Sequence, residues 1–499
     1  MINALRLYPL FVLLMMIGGL AMLVPAGHAA KQQDWYVARV FFQYSLLILA
    51  FSVLLGTAMM NRKTRNVSRS NLITLILAFA LLPAFLALPF SEVLPYLSFQ
   101  RAYFEMLSSF TTTGATLFDD PFRIPESLHL WRGLVGWLGG FFMLVAAVSV
   151  LEPLNIGGFE MRETMAAARG PALQAENDVR LLRAVRLLLP PYFLFTALLA
   201  LFLIFSGERV FIATIHAMAT LSTSAISPVG GLGGAQAGWS GEVLIAVFLL
   251  FAVSSKLMTL NLPSAARSMP KDPEFQLTLL VIFLLPLFMF ARHWLAALDV
   301  STEQDVLAGL SAYWGSLFTT ISYLTTTGFE SSHWHDAQNW SGLSATGILL
   351  FGLAVMGGGV ATTAGGVKLL RIYSLYRHGL RELEHMINPS SVGRSGTSTR
   401  RFRRQGAELA WVFLMLFLMS ITVVALALAM LDILFEDAFA LAIASLTNTG
   451  PIFLALGDPA AHYAALSDTA LGILSMAMVL GRVEALAFIA LLNPDYWRN

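Results

Sequence analysis

Long apolar stretches alternate along this chain with short polar or basic connections. They fall at 8–25, 36–59, 71–90, 131–151, 185–206, 241–262, 275–294, 341–375, 408–431 and 464–492. A helix needs ~20 apolar residues to cross the hydrocarbon core of a bilayer, so the pattern predicts ten spanning helices. The first stretch also resembles a signal peptide, because AGHAA at 26–30 looks like a small-residue cleavage site. Only Arg6 supplies the positive charge such a leader carries, and the stretch is read as a helix of the protein.

Four further apolar pieces are too short to span: FQRAYFEMLSSF (99–110), ERVFIATIHAMATLS (208–222), LAGLSAYWGSLFTTISYL (307–324) and EDAFALAIASLT (436–447). They read as re-entrant helices. Each runs into a small polar phrase, TTTGAT, STSAIS, TTTGFE or TNTGP. Aligned on Gly114, Ala225, Gly328 and Gly450, the phrases recur at separations of 111, 103 and 122 residues. The repeated unit is helix, short helix, polar phrase, helix. This predicts an all-α integral membrane protein with four such units at 71–155, 183–263, 275–376 and 406–499. Two leading helices occupy 1–70 and a basic loop lies at 377–405.

Irregular backbone at membrane depth is tolerated only where it is buried in protein or lines a water-filled cavity. Four copies around a pseudo-fourfold axis would make a ring of carbonyls, which can replace a cation's hydration shell. Glycine suits such a segment because turning successive carbonyls inward calls for φ > 0 or nearby geometry. Threonine adds a hydroxyl oxygen and stiffness. The candidate ion-binding residues are therefore Thr112, Thr113 and Gly114; Thr223, Ser224 and Ala225; Thr326, Thr327 and Gly328; and Asn448, Thr449 and Gly450.

Lys and Arg cluster at 61–69, between Arg162 and Arg186, around Arg267 and Lys271, and from Arg371 to Arg404. These are alternate connections, so the positive-inside rule places them, and both termini, in the cytoplasm. The 394–404 run reads as a docking site or as a basic loop over anionic lipid. Composition agrees with a membrane protein: 57% hydrophobic residues and 12% charged, a mean hydropathy of +0.71, against roughly 25% charged in soluble domains. A net charge of +1 offers no nucleic-acid surface, and the lack of cysteine removes disulfides, thiolate metal sites and thiol nucleophiles.

TTTGAT, TTTGFE and the terminal GRVEALAFIALLNPDYWR resemble the Trk/Ktr/HKT superfamily of potassium transporters, in particular its bacterial TrkH branch. WLGGFFMLVAAV (137–148), NIGGFEMRETMAAARGP (155–171) and GGGVATTAGGVKLLR (357–371) are similar to landmarks of that branch. The resemblance covers essentially the whole chain. It implies potassium uptake across the bacterial inner membrane, a homodimer, and a cytoplasmic regulatory ring of Rossmann-type, nucleotide-binding subunits of the TrkA type. It also implies K⁺ as the transported ion, held at Thr113, Gly114, Ser224, Ala225, Thr327, Gly328, Thr449 and Gly450, with no cofactor in this chain.

Several residues depart from the family pattern. Ala225 stands where the family usually has glycine, and a left-handed alanine costs roughly 1 kcal/mol. Either the second phrase is distorted and Na⁺ permeates, or alanine is tolerated and K⁺ is preferred. Asn448 and Pro451 flank the fourth glycine; Pro451 removes an N–H. In GGGVATTAGGVK, Gly357, Gly358, Gly359, Gly365 and Gly366 would break a helix, and by resemblance this is an intramembrane gate. Ala361, Thr362, Thr363 and Ala364 make it less glycine-rich than the family's. Lys368 either points into an inner cavity or snorkels to the interface. Arg482 lies within the last apolar stretch, where a charge defaults to a functional role; by resemblance it faces the permeation path, the alternative being an ion pair with Glu152. Lys256 either snorkels or adds charge near the pore.

HWHD at 333–336 is a poor metal cage, with three ligands crowded into one loop. Asp119, Asp120 and Glu330 would make an outer vestibule acidic. No phosphate-binding glycine loop or H-E-x-x-H appears, so no nucleotide or zinc chemistry is built in, and no enzyme is expected. The rival classes are an interfacial membrane enzyme, which the spans do not supply with clustered carboxylates or histidines, and a non-conducting sensor.

Overall fold

The computed structural model describes residues 9–59, 67–152, 177–254, 256, 267, 269–296, 306–343, 345–387, 397–456 and 462–483. Helices dominate. In chain order they are α1 (Leu10–Ala21), α2 (Leu23–Lys31), α3 (Trp35–Met59), α4 (Val67–Val93), α5 (Phe99–Phe110), α6 (Glu126–Ala146), α7 (Asn177–Phe205), α8 (Val210–Ser222), α9 (Gly238–Leu249), α10 (Pro273–Ala296), α11 (Val306–Leu324), α12 (Trp334–Ser341), α13 (Thr346–Met356), α14 (Leu369–Ile387), α15 (Thr397–Ala429), α16 (Phe435–Leu446) and α17 (Asp468–Val483). No strand occurs among the described residues.

Seven helical stretches among the described residues are long and apolar enough to cross a membrane: Leu10–Lys31, Trp35–Met59, Leu72–Val93, Glu126–Leu151, Arg180–Phe205, Pro273–Arg292 and Gly406–Ala429. The bent pair α12 and α13, inclined by 118°, makes an eighth if it is one span. Ten were expected. Of the 241–262 stretch, the described residues form the short apolar helix Gly238–Ala252. The 464–492 stretch is described only through Val483. The 341–375 stretch is broken at Gly357, which has φ 71° and ψ 179°. A helix cannot continue through that geometry.

The short helices form where expected. FQRAYFEMLSSF is α5 and EDAFALAIASLT is α16 to within a residue at either end. α5 packs between α4 and α6 of its own unit and α16 between α15 and α17 of its own, whereas α8 packs between α7 of its own unit and α6 of the first. Their carbonyl ends sit against glycine: a Cβ at Gly139 would lie 1.9 Å from the Phe110 oxygen, and one at Gly481 would lie 2.2 Å from the Leu446 oxygen. Phe110 and Leu446 occupy the same place in their units, four residues before the aligned glycine. Close approach of helix backbones through small residues is how membrane helices associate.

The leading helices α1 to α3 lean on α4 and α6 through an aromatic core. Phe41 meets Trp131 edge-on at 5.7 Å, Phe79 contacts both Phe110 and Phe142, and the Trp131 indole donates to Leu86 O at 3.1 Å. Their outward faces carry exposed apolar side chains such as Phe42, Leu46, Leu54 and Phe51, which suits contact with lipid.

Candidate functional site

All four short helices end in the same way. The N–H of Thr113, Ser224, Thr327 and Thr449 bonds the carbonyl five residues back, at Ser108, Ala219, Ser322 and Ala444 (2.8–2.9 Å). The N–H of the preceding residue bonds the carbonyl three back, from Thr112 to Ser109, Thr223 to Thr220, Thr326 to Tyr323 and Asn448 to Ser445. This is a Schellman termination, which requires one left-handed residue. That residue is Thr112, Thr223, Thr326 or Asn448, with φ of 55–57°. Glycine usually fills the position, and for a β-branched residue the conformation is a true outlier. Asn448 departs from the threonine pattern toward the residue that tolerates this geometry better.

Hydroxyls lock the turn. Thr111, Ser222, Thr325 and Thr447 each donate to the carbonyl four residues back. In the first three units the same hydroxyl also meets that of Thr113, Ser224 or Thr327 at 2.8–3.0 Å. Gly114 (φ 74°), Ala225 (φ 48°) and Gly328 (φ 92°) are then left-handed again. Gly450 is not. The expectation that each aligned glycine supplies φ > 0 therefore holds at two glycines, is met by alanine at the second phrase, and fails at the fourth. Gly450 is needed for space instead, since a Cβ there would lie 2.3 Å from Ala115 N.

The four phrases meet in a closed order. The first touches the second where Gly114 approaches Ser224 O. The second unit reaches the third through His216 against Phe329, at 5.7 Å between centroids. Gly328 packs on Pro451 of the fourth. The fourth returns to the first: Gly450 N donates to Thr113 O at 2.6 Å, and the Asn448 amide donates to Thr113 Oγ1 at 3.0 Å. Thr112, Thr223, Thr326 and Asn448 are each 1% exposed. Among the described residues, none of their four carbonyl oxygens accepts a hydrogen bond. Buried carbonyls are normally paired, so four unpaired ones in equivalent places call for a ligand.

Beneath the phrases runs the buried 357–368 loop between α13 and α14. Thr363 Oγ1 donates to Leu221 O, Gly365 N donates to Thr326 Oγ1 at 2.6 Å, and a Cβ at Gly365 would lie 2.1 Å from Thr447 O. The loop thus presses on the second, third and fourth units. Its glycines permit the approach: a Cβ at Gly359 would meet Val253 O at 1.8 Å, Gly358 abuts Ala252 O, and Gly357 and Gly366 touch each other. Lys368 (φ 83°) is 5% exposed and its ammonium caps the loop's own Ala364 carbonyl; it does not snorkel. Arg482, 2% exposed, donates to Thr363 O at 2.7 Å. It makes no ion pair among the described residues, so the Glu152 alternative is not realised. Lys256 pairs with Asp272 at 2.9 Å and is 43% exposed, away from the phrases.

Other expectations fall elsewhere. His333 pairs with Asp336 at 3.1 Å, and no cluster able to hold a metal occurs among the described residues. Asp119 pairs with His462 at 3.1 Å. Glu330 accepts from the Tyr323 hydroxyl at 3.0 Å. The 155–171 motif and the tail after Val483 lie outside the described residues.

Sequence reasoning passed over several buried carboxylates, three of which bear on the phrases and the loop. Glu105, in α5, is fully buried against Arg132 at 3.0 Å. Glu242, in α9, accepts four hydrogen bonds. Glu274, in the first turn of α10, accepts from Val360 N of the loop at 2.8 Å. Glu105 and Glu242 are single carboxylates within apolar runs, which is itself a signal of function in a membrane protein; Glu274 follows Lys271 and Asp272 at the start of one.

A family model for TrkH, described as a cation transport protein, matches residues 38–239 and 275–495. The Trk system potassium uptake protein TrkH of Salmonella typhimurium is 29% identical over 489 residues, covering 96% of each chain. The protein of the same name from Escherichia coli K12 is 29% identical over 483 residues, again 96% of each. The crystal structure of the potassium transporter TrkH from Vibrio parahaemolyticus superposes with a TM-score of 0.81 at 25% identity, over 99% of this chain and 100% of that one.

Proposed function

The chain belongs to the TrkH family of cation transport proteins, and on that premise we propose that it carries potassium into a bacterial cell across the inner membrane. The observation that carries this reading is the set of four carbonyls at the buried residues Thr112, Thr223, Thr326 and Asn448 that accept no hydrogen bond among the described residues. An oxygen ring of that kind is the group a dehydrated alkali cation demands. Names of relatives near 29% identity add potassium as the ion.

In this reading the chain has ten spans. Four helix–short helix–helix units at 71–155, 183–263, 275–376 and 406–499 surround one pore, after two leading helices in 1–70. Thr112–Gly114, Thr223–Ala225, Thr326–Gly328 and Asn448–Gly450 form the filter. K⁺ is held by the carbonyls of Thr112, Thr223, Thr326 and Asn448 together with oxygens of Thr113, Gly114, Ser224, Ala225, Thr327, Gly328, Thr449 and Gly450. Gly357, Gly358, Gly359, Gly365, Gly366, Lys368 and Arg482 form the gate below. The Arg482 charge opposes cations while it rests on Thr363; moving the loop breaks that hydrogen bond and frees the side chain to swing aside. The basic 377–405 connection faces the cytoplasm with both termini, where a nucleotide-binding ring of the TrkA type sets the loop's position, and the protein works as a homodimer.

Ala225 leaves the preference for K⁺ in place, because it adopts the left-handed φ of 48° that Gly114 and Gly328 also use. The test is uptake of radioactive rubidium into proteoliposomes loaded with K⁺. Uptake that K⁺ outcompetes supports the reading. No uptake, with the protein folded and the loop freed by Gly365→Ala, excludes it and favours a sensor.

A further inference from the structure

The four phrases are not braced alike. In the first, the Glu105 carboxylate accepts from Leu117 N, three residues past Gly114, and from Thr116 Oγ1 at 2.9 Å. It is held in turn by Arg132 of α6. In the third, Glu242 reaches across from the second unit. Its Oε1 accepts from Ser332 N and Ser332 Oγ, both at 2.7 Å, and its Oε2 accepts from Ser331 Oγ at 2.6 Å and Trp314 Nε1 at 2.8 Å. Ser332 is four residues past Gly328. Glu242 is 2% exposed and has no ion-pair partner among the described residues. Each of its oxygens thus accepts one N–H and one hydroxyl.

The other two phrases lack this. In the second, the residue equivalent to Glu105 is His216, nine before the aligned position, and it meets the Ser227 hydroxyl at 2.9 Å. In the fourth the equivalent is Leu441, and the tie is a Tyr463 hydroxyl donating to Gly450 O at 2.9 Å. Hydrogen bonds to an ionised acceptor are roughly twice as strong as neutral ones. The carboxylate-braced phrases, first and third, are also the two that keep Thr-Thr-Thr-Gly with a left-handed glycine. In the closed order of contacts they stand opposite each other. The neutral ties coincide with the two departures, Ala225 and the Asn448–Pro451 pair.

We infer that Glu105 and Glu242 are specificity-determining positioning residues: they fix the exit strands of the first and third phrases, and this opposed pair sets the preference of the pore for K⁺ over Na⁺. Size discrimination needs oxygens that do not follow the smaller ion inward, so the stiffest pair governs. The inference rests on the filter reading above and explains why that filter tolerates alanine at 225, in a phrase that is not one of the pair.

The test is the ratio of K⁺ to Na⁺ flux in proteoliposomes for wild type, Glu242→Gln, Ala225→Gly and Gly328→Ser, using protein with an unchanged size-exclusion profile. Glu242→Gln keeps the side chain's size but replaces one accepting oxygen by an amide NH2 that faces donors. It is expected to lower the ratio by about fivefold or more, as loss of a charge-assisted bond implies, and by more than Ala225→Gly changes it. An unchanged ratio in Glu242→Gln beside a lowered ratio in Gly328→Ser overturns the inference and leaves the filter reading standing. An unchanged ratio in Gly328→Ser overturns the filter reading and the inference with it. If Glu242→Gln does not assemble, Ser332→Ala removes one exit-strand donor without touching the charge and is expected to shift the ratio the same way; no shift overturns the proposal.

Discussion

A Cβ added to Gly114 would lie 1.9 Å from the carbonyl oxygen of Ser224, a separation no side chain can occupy. The adjacent phrase carries a Cβ at the aligned position, Ala225, with the same hand of backbone. Glycine and alanine at equivalent places are therefore not interchangeable. Gly114→Ala must push either the first phrase or Ser224, and it should reduce K⁺ flux by about tenfold or more, since overpacking and lost geometry each cost on the order of 1–3 kcal/mol. Gly328→Ala, whose new carbon would have the Pro451 ring as its nearest neighbour at 3.0 Å, should be milder. Flux measured on both proteins at equal reconstitution checks the order.

Glu105 and Arg132 form a fully buried ion pair behind the first phrase. Removing one partner leaves an uncompensated charge, which typically costs about 3–5 kcal/mol, whereas replacing both with apolar groups of similar volume is often neutral. Arg132→Met is expected to lower the melting temperature in nanodiscs sharply. Arg132→Met with Glu105→Leu should recover only part of the loss in stability, because Leu117 N and Thr116 Oγ1 lose their acceptor at about 1–3 kcal/mol for a stranded buried donor, and it should not recover the ion preference. Thermal melts of the two variants decide this.

Arg482 holds the loop by one hydrogen bond, to Thr363 O, and Gly365 seats it against Thr447 O. Arg482→Gln removes the positive charge, and Gly365→Ala forces the loop away from the fourth unit. Both should raise basal K⁺ flux, by roughly tenfold for each 1.4 kcal/mol taken from the barrier. Tracer efflux without any cytoplasmic partner reads this directly; unchanged flux in both variants would remove the loop and Arg482 from the gate.

Glu330, in the outer connection after the third phrase, has its carboxyl raised above the ordinary 4.5, by burial first, with the Tyr323 hydroxyl bond acting the other way. A carboxyl raised in the folded protein holds its proton more tightly there than in the unfolded chain. Its contribution to stability is full below pH 4.5 and is lost as pH rises through the folded value. Glu330→Gln mimics the protonated form and keeps an acceptor for Tyr323. The variant should melt higher than wild type near neutral pH and equal to it at pH 4 and below.

Much of this was legible in the chain itself. The short helices were readable because each is an apolar run of a length that cannot span, closed by a polar phrase; α5 and α16 start and stop almost where the letters change. The loop that breaks the 341–375 stretch was readable from Gly357 to Gly366, because so many glycines cannot sit in one helix. Gly450 shows the limit. Its glycine looked equivalent to Gly114 and Gly328, yet it serves the approach of Ala115 rather than a left-handed turn, and only the neighbouring backbone shows that. Lys256 and Glu105 show another. A single charge in an apolar run signals its own importance but not its partner, and the partners Asp272 and Arg132 lie 16 and 27 residues away. Glu242 was hidden for a similar reason, since what it braces belongs to the next unit.

The most direct measurement is the flux of K⁺ and of Na⁺ through the purified protein in liposomes, for wild type and for Ala225→Gly. The account predicts that wild type passes K⁺ at least about tenfold faster than Na⁺, a difference of 1.4 kcal/mol, and that Ala225→Gly changes the ratio little. Comparable passage of Na⁺ by wild type, with K⁺ preference restored by Ala225→Gly, would contradict it and make the second phrase the one that sets the ion.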